Sequence, residues 1–255
     1  WGQAMAALMV FHDQTTVITT ERMRADFLAN ASHELKTPLS ALSLLVETLT
    51  GPARGDIEAQ DRFFDMMRVQ AERMRRLIDD LLSLSRIELD ARVPPTERAD
   101  LCDIAREAAD AALPLAGSRA ISVRVDAADP ACLVIGDRFQ LAQIAQNLID
   151  NAVKYTPDQG QVRVEVGWAE DRDAVIERAS RRWPDAARMS LLTPPPARRR
   201  GYVYLRVEDS GPGIARRHLP RLGERFFRVE RDEGAPKSGT GLGLAIVKHI
   251  ANRHR

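Results

Sequence analysis

Leucines at 28, 35, 42 and 49 recur at intervals of seven, and Ala31 and Leu45 fall near a second seam. A repeat of that period demands a helix packed lengthwise against a partner. Gly51-Pro52-Ala53-Arg54-Gly55 then breaks the pattern. Beyond the break Met67, Ala71, Met74, Ile78, Leu81 and Ser85 alternate in steps of four and three. The spacing predicts two long helices joined by a short turn within residues 15–92. A lone antiparallel pair buries one stripe on each helix, and a second copy of the pair closes the core. A homodimeric four-helix bundle is therefore expected.

Val93-Pro94-Pro95 cannot continue a helix and marks a linker, after which the texture changes. Residues 100–112 read as a helix, 121–125 as an alternating strand and 133–135 as a short apolar strand. A long amphipathic helix spans 138–154, strands follow at 162–166 and 203–207, and a last helix covers 242–252. The order predicts an α+β chain, with a mixed sheet carrying its helices on one face. Between 167 and 201 lie a short helix over 173–182, Pro194-Pro195-Pro196 and Arg198-Arg199-Arg200. This stretch reads as a solvated insertion, with a docking surface as the alternative.

Charge and cysteines exclude several classes. Lys and Arg number 37 against 36 Asp and Glu, a net +1 that leaves no electrostatic footprint for nucleic acid. Cys102 and Cys132 form neither a disulfide framework nor a metal-ligand spacing, which fits a reducing compartment. The apolar run Ala4–Phe11 falls short of the ~20 residues that span a bilayer, and no basic region precedes it as in a signal peptide. A start at Trp1 points to a fragment, with any membrane anchor in an upstream segment.

Five stretches carry chemistry. In Ser32-His33-Glu34-Leu35-Lys36-Thr37-Pro38, His33 faces away from both seams. Alone it reads as a surface histidine. Glu34 beside it offers a carboxylate to fix the imidazole tautomer and accept a proton, leaving the other nitrogen free to attack phosphorus. Thr37, one turn on, offers a hydroxyl to orient a water for the reverse reaction. Pro38 is expected to bend or loosen the helix there.

Asn147, Asn151 and Lys154 recur at i, i+4 and i+7 on the long helix, which ends at Tyr155. Amide oxygens suit Mg²⁺ and the lysine suits phosphate. Alone, they form an ordinary polar face. In Asp209-Ser210-Gly211-Pro212-Gly213 a strand ends in a carboxylate able to accept from an exocyclic amine such as that of adenine. Gly239-Thr240-Gly241-Leu242-Gly243 opens the last helix, where backbone amides bind phosphate. Before it Arg225-Phe226-Phe227-Arg228 supplies cations and aromatic rings, and the polar residues 230–238 read as a lid.

Taken in chain order, the five stretches resemble the H, N, G1, F and G2 boxes of sensor histidine kinases of two-component signalling, over residues 23–252. Within that family the segment from Met23 to His33, with Val46-Glu47-Thr48-Leu49, is most similar to phosphate-regulon sensor kinases. The resemblance implies an upstream sensory tail at 1–14, a dimerisation and histidine-phosphotransfer domain at 15–92 and a linker at 93–98. It implies an ATP-binding α/β sandwich of the gyrase/chaperone type at 99–255, with an insertion near 168–200 and a sheet that the family continues with further strands. His33 is then the phospho-acceptor, Glu34 the general base and Thr37 a phosphatase residue. ATP is implied to lie among Asn147, Asn151, Lys154, Tyr155, Asp209, Gly211, Gly213, Arg228, Gly239, Thr240, Gly241, Leu242 and Gly243, with Mg²⁺ on Asn151. The implied partners are a second copy of the chain and a response-regulator receiver domain, and the implied place is the cytoplasmic part of a membrane-anchored bacterial receptor. A non-catalytic, ATP-binding dimeric scaffold is the alternative.

Overall fold

A computed structural model of the chain describes residues 15–90, 93–127, 132–180, 201–229 and 239–254. The readings of 1–14 as a sensory tail and of 230–238 as a lid lie outside them, as do residues 181–200 of the insertion. The chain divides into two compact units, Trp1–Met74 and Arg75–Arg255.

The first unit holds helix α1, Thr15–Thr50, and the start of helix α2, Ile57–Asp90. Between them Gly55 turns the chain at φ +96°, a value a side chain resists. Asp56 then caps α2, its Oδ1 accepting from the Ala59 N–H at 3.0 Å. Among the residues of α1 whose burial is described, Ala31, Pro38 and Leu45 are buried, while Leu28 is 65% exposed and Leu35, Leu42 and Leu49 are half-buried. The leucine repeat thus sits at the margin of the seam that a single chain buries. Pro38 does not end α1, which runs on helically to Thr50. It removes one donor, that to the Glu34 carbonyl.

The second half of α2 belongs to the other unit, and its buried face differs from the expected one. Leu77, Leu84 and Ile87 are buried, whereas Ile78 and Ser85 are exposed. The inward positions run Phe63, Met67, Gln70, Met74, Leu77, Leu81 and Leu84, one continuous series in steps of three and four, so Ala71, Ile78 and Ser85 each miss it by one residue. Ser83 Oγ donates to Gln143 Oε1 at 2.8 Å.

The second unit continues with β1 (Arg98–Asp100), α3 (Leu101–Ser118), β2 (Ser122–Ala127), β3 (Leu133–Ile135), α4 (Arg138–Tyr155) and β4 (Gln161–Ala169). After these come α5 (Arg172–Ser180), β5 (Tyr202–Asp209), a 3-10 turn (Arg216–Arg221) and α6 (Gly243–Arg253). One sheet runs β2-β4-β5, parallel between β2 and β4 and antiparallel between β4 and β5. A separate antiparallel ribbon pairs β1 with β3. Alternation in β4 sends Val162, Val164 and Val166 into a core completed by Ile104, Ala105 and Ala108 of α3 and by Ala145, Ile149 and Val153 of α4. The opposite face of the sheet is ionic, with Arg163 and Arg124 both bonded to Asp126, and Tyr204 donating to Glu165 at 2.6 Å. The short helix α5 sits on that face, where Arg178 reaches the Tyr204 hydroxyl, so not every helix covers the core side.

Helix α3 outlasts its expected end at residue 112, passing through Pro114. That ring lies on the exposed side, where water can satisfy the carbonyl it leaves unpaired, and Ala116 extends the buried stripe. Cys102 and Cys132 are both buried and neither is in a disulfide; burial, with the hydrogen bond to Cys102, pushes the Cys132 thiol up to about 11, so it packs as an inert core group. No helix among the described residues is long and apolar enough to cross a membrane.

His254 joins two helix ends. Its Nε2 accepts from the Asp137 N–H at 2.9 Å, and its Nδ1 lies 2.9 Å from the Ile250 carbonyl, the geometry of a neutral ring protonated at Nδ1. Burial, with Arg253 nearby, holds its pKa below the ordinary 6.5, against the backbone bond and Asp137, which pull the other way. The stability this ring confers is therefore full above pH 6.5 and is lost as the pH falls from there through the lowered value. The melting temperature is expected to drop between pH 7.5 and pH 5.5, and His254→Ala should melt lower at pH 7.5 with a shallower drop. Parallel pH slopes for the two proteins would contradict the assignment.

Candidate functional site

Helix α4 divides its surface between two tasks. Leu141, Ala145, Ile149, Ala152 and Val153 are buried. Asn147, Asn151 and Lys154 lie along a neighbouring face, each half-buried, and the helix ends at the more exposed Tyr155. At its start Asp137 Oδ1 accepts from the Phe139 and Gln140 N–H groups, which fixes where the first turn begins.

The glycines show what lies against this face. A Cβ on Gly243, the first residue of α6, would stand 2.9 Å from Asn147 Oδ1. One on Gly239 would stand 2.5 Å from Lys154 Nζ, and one on Gly211 would stand 2.8 Å from the Tyr155 carbonyl oxygen. Gly241 sits at φ +72°, and a Cβ there would lie 2.8 Å from the Phe226 carbonyl carbon. Its own carbonyl accepts the Phe226 N–H at 2.9 Å. Segments around 147–155, 209–213, 226 and 239–243 thus converge, with glycine wherever a side chain would hold them apart.

The remaining candidates take up definite positions. Asp209 is exposed at the end of β5, its Oδ1 accepting from the Gly211 N–H at 2.8 Å. Gly213 is exposed at φ +70° with open space beside it. Leu242 is fully buried and anchors the start of α6. Arg228 is half-buried. Thr240 Oγ1 accepts from the Leu242 N–H at 3.2 Å and donates to Asp80 Oδ2 at 2.7 Å. Burial pushes the Asp80 carboxyl above the usual carboxylate range, against the pull of the Thr240 bond. Arg225 pairs with Glu88 of α2. Spacing in the sequence gives no reason to connect Asp80 or Glu88 with the glycine segment; both read simply as charges on a helix.

In the first unit His33 is exposed on α1. Glu34 beside it takes a different partner from the expected imidazole: its Oε2 accepts from Arg73 of α2 at 3.3 Å. Thr37 Oγ1 donates to the His33 carbonyl at 3.3 Å. A guanidinium on the facing helix competes well for a carboxylate, and Arg73 is visible in the sequence only as one of several charges on α2.

The amide oxygens of Asn147 and Asn151 are the donor type magnesium takes, and Lys154 Nζ against Gly239 is placed to neutralise an anion. Among the described residues no group of three or more His, Cys, Asp or Glu could hold a metal ion.

Residues 23–90 match the His Kinase A (phospho-acceptor) domain, and residues 136–255 match the histidine kinase-, DNA gyrase B- and HSP90-like ATPase. The chain belongs to the sensor histidine kinases. It carries the phospho-acceptor and ATPase domains of that family in the usual order. The sensor kinase is 36% identical over 248 residues to the phosphate regulon sensor protein PhoR of Pseudomonas aeruginosa, covering 97% of this chain and 49% of that protein. It is 34% identical over 249 residues to the sensor-like histidine kinase SenX3 of Mycobacterium tuberculosis, covering 97% of this chain and 53% of that one. The chain spans about half the length of these relatives. Among solved structures, the histidine kinase AdeS of Acinetobacter baumannii shares the fold at TM-score 0.54 and 21% identity, over 87% of this chain and 86% of that one. Full-length ShkA does so at 0.53 and 23%, over 89% of this chain and 41% of that one.

Proposed function

We propose that this sensor kinase core phosphorylates itself on His33 from MgATP and passes the phosphoryl group to an aspartate of a response-regulator receiver domain. The observation that carries the reading is the convergence of Asn147, Lys154 and Tyr155 with Gly243, Gly239 and Gly211, each glycine leaving room where a Cβ would strike its neighbour. ATP is read as lying in that cradle, its adenine amine donating to Asp209 and its phosphates beside Lys154 and the backbone amides that open α6. Thr240, Gly241, Leu242 and Gly213 shape the same loops, and Arg228 is read as approaching the γ-phosphate. Magnesium, held by Asn151 with Asn147 beside it, supplies charge neutralisation on the phosphates.

At His33 one imidazole nitrogen attacks the γ-phosphorus. An N–P bond forms, the bond to the β–γ bridging oxygen breaks, ADP departs, and the imidazole proton passes to Glu34. Arg73 orients that carboxylate. Thr37 is read as positioning the water that hydrolyses the phosphorylated regulator, giving the same core a phosphatase activity.

A second copy of the chain is read as packing on the hairpin, because Leu28, Leu39, Leu44 and Val69 are each more than half exposed there. In the intact protein we place this core on the cytoplasmic side of a membrane-anchored receptor. The test is incubation with γ-labelled ATP and Mg²⁺, followed by acid and base. Label lost in acid, kept in base and transferable to a receiver domain is expected. Tight nucleotide binding with no label would contradict catalysis and favour the ATP-binding scaffold.

A further inference from the structure

The last turn of α4 carries Lys154 and Tyr155, and a helix end is where the backbone is least constrained. Its final carbonyls have no partner within the helix. A residue outside α4 supplies them. Arg119, the C-cap of α3, extends its guanidinium across this end. Nη1 donates to the Val153 carbonyl at 2.8 Å and to the Lys154 carbonyl at 3.2 Å. Nη2 donates to the Thr156 carbonyl at 2.7 Å, and Nε to Asp158 Oδ1 at 2.9 Å. The Arg119 main chain also takes part, its carbonyl accepting from the Gln159 N–H at 3.0 Å. The next orphan carbonyl, that of Tyr155, is the one Gly211 approaches.

We infer that Arg119 is a positioning residue for the nucleotide site: it fixes the last turn of α4 and, through it, Lys154 against Gly239 and Tyr155 against Gly211. The inference rests on the ATP-binding reading above. A cation at a helix C-terminus is favourable in itself. What singles out arginine is the fork, which meets three carbonyls and a carboxylate from one rigid plane. A lysine brings one point charge and cannot serve all four. With the fork gone, the last turn frays, and Lys154 Nζ loses its fixed place beside the glycine segment.

The experiment uses the whole chain and measures ATP affinity at low temperature, well below melting, for Arg119→Gln and Arg119→Lys. Both are then repeated in a Lys154→Ala, Tyr155→Ala background. The expected loss in ATP affinity is about tenfold for Arg119→Gln, with partial recovery in Arg119→Lys. In the doubly substituted background the same changes should cost less than about twofold, because the groups Arg119 positions are no longer there. A general loss of structure would add fully in both backgrounds, and that additivity would overturn the proposal. So would a parent that binds ATP and an Arg119→Lys or Arg119→Gln variant that binds it equally well. A parent chain that binds no ATP would overturn the ATP-binding reading itself and this inference with it. Should Arg119→Gln not fold, the Arg119→Lys cycle alone decides.

Discussion

His33→Gln is expected to abolish phosphoryl uptake, a fall of at least about a thousandfold, while ATP affinity stays within about twofold of the parent. The imidazole is exposed and away from the buried seam of α1, so its loss leaves no cavity. Glutamine suits the helix and keeps a polar side chain, but its amide nitrogen is no nucleophile at neutral pH. Stability should therefore change by less than about 0.5 kcal/mol. Labelled-ATP uptake, nucleotide affinity and melting temperature on the same two preparations check this. Label persisting above a few per cent of the parent's would mean that phosphate goes elsewhere.

Gly241→Val acts from the other side of the chemistry. The native φ of +72° costs a non-glycine residue about 1–3 kcal/mol, and more when β-branched. The new Cβ would also stand 2.8 Å from the Phe226 carbonyl carbon, in backbone that cannot rotate away as a side chain would. The loop must shift, and the Phe226 N–H bond to the Gly241 carbonyl shifts with it. An ATP affinity reduced by more than tenfold is expected, together with a melting temperature lowered by several degrees. Gly55→Ala is the matched control. Its φ is +96° and nothing lies within 4 Å of the added Cβ, so it should lower stability while leaving ATP affinity unchanged. Equal loss of ATP affinity in the two variants would show that strain alone, without the Phe226 contact, explains the Gly241 effect.

What the sequence made legible was whatever a short periodicity or a local motif encodes. The hairpin of α1 and α2 follows from the seven-residue repeat and the glycine break, and the mixed sheet from alternation in β2, β4 and β5. The candidate nucleotide residues stood out because Asn147, Asn151 and Lys154 share a helical face and because glycines cluster. Long-range partners were not legible. Arg73 on Glu34, Asp80 on Thr240 and Arg119 on the end of α4 join residues between 34 and 160 positions apart, and each is an ordinary surface charge in its own segment. The buried stripe of α2 was misjudged by one residue at alternate steps. A four-three and a three-four reading share Met67, Met74 and Leu81, and the structure turns Gln70, Leu77 and Leu84 inward rather than Ala71, Ile78 and Ser85. Pro114 misled locally, since its cost depends on whether the orphaned carbonyl faces water, and here it does.

The central claim is that the phosphoryl group of ATP comes to rest on His33. Its most direct test is to let the chain react with ATP and Mg²⁺, digest at neutral or basic pH, and locate the added phosphate by fragment-ion mass spectrometry. Among the exposed hydroxyls of the acceptor helix, the two nearest competitors along the chain are those of Ser32 and Thr37. The account predicts the added mass on His33, with none on either hydroxyl. Phosphate on Ser32 or Thr37, or on a residue outside α1, would contradict it.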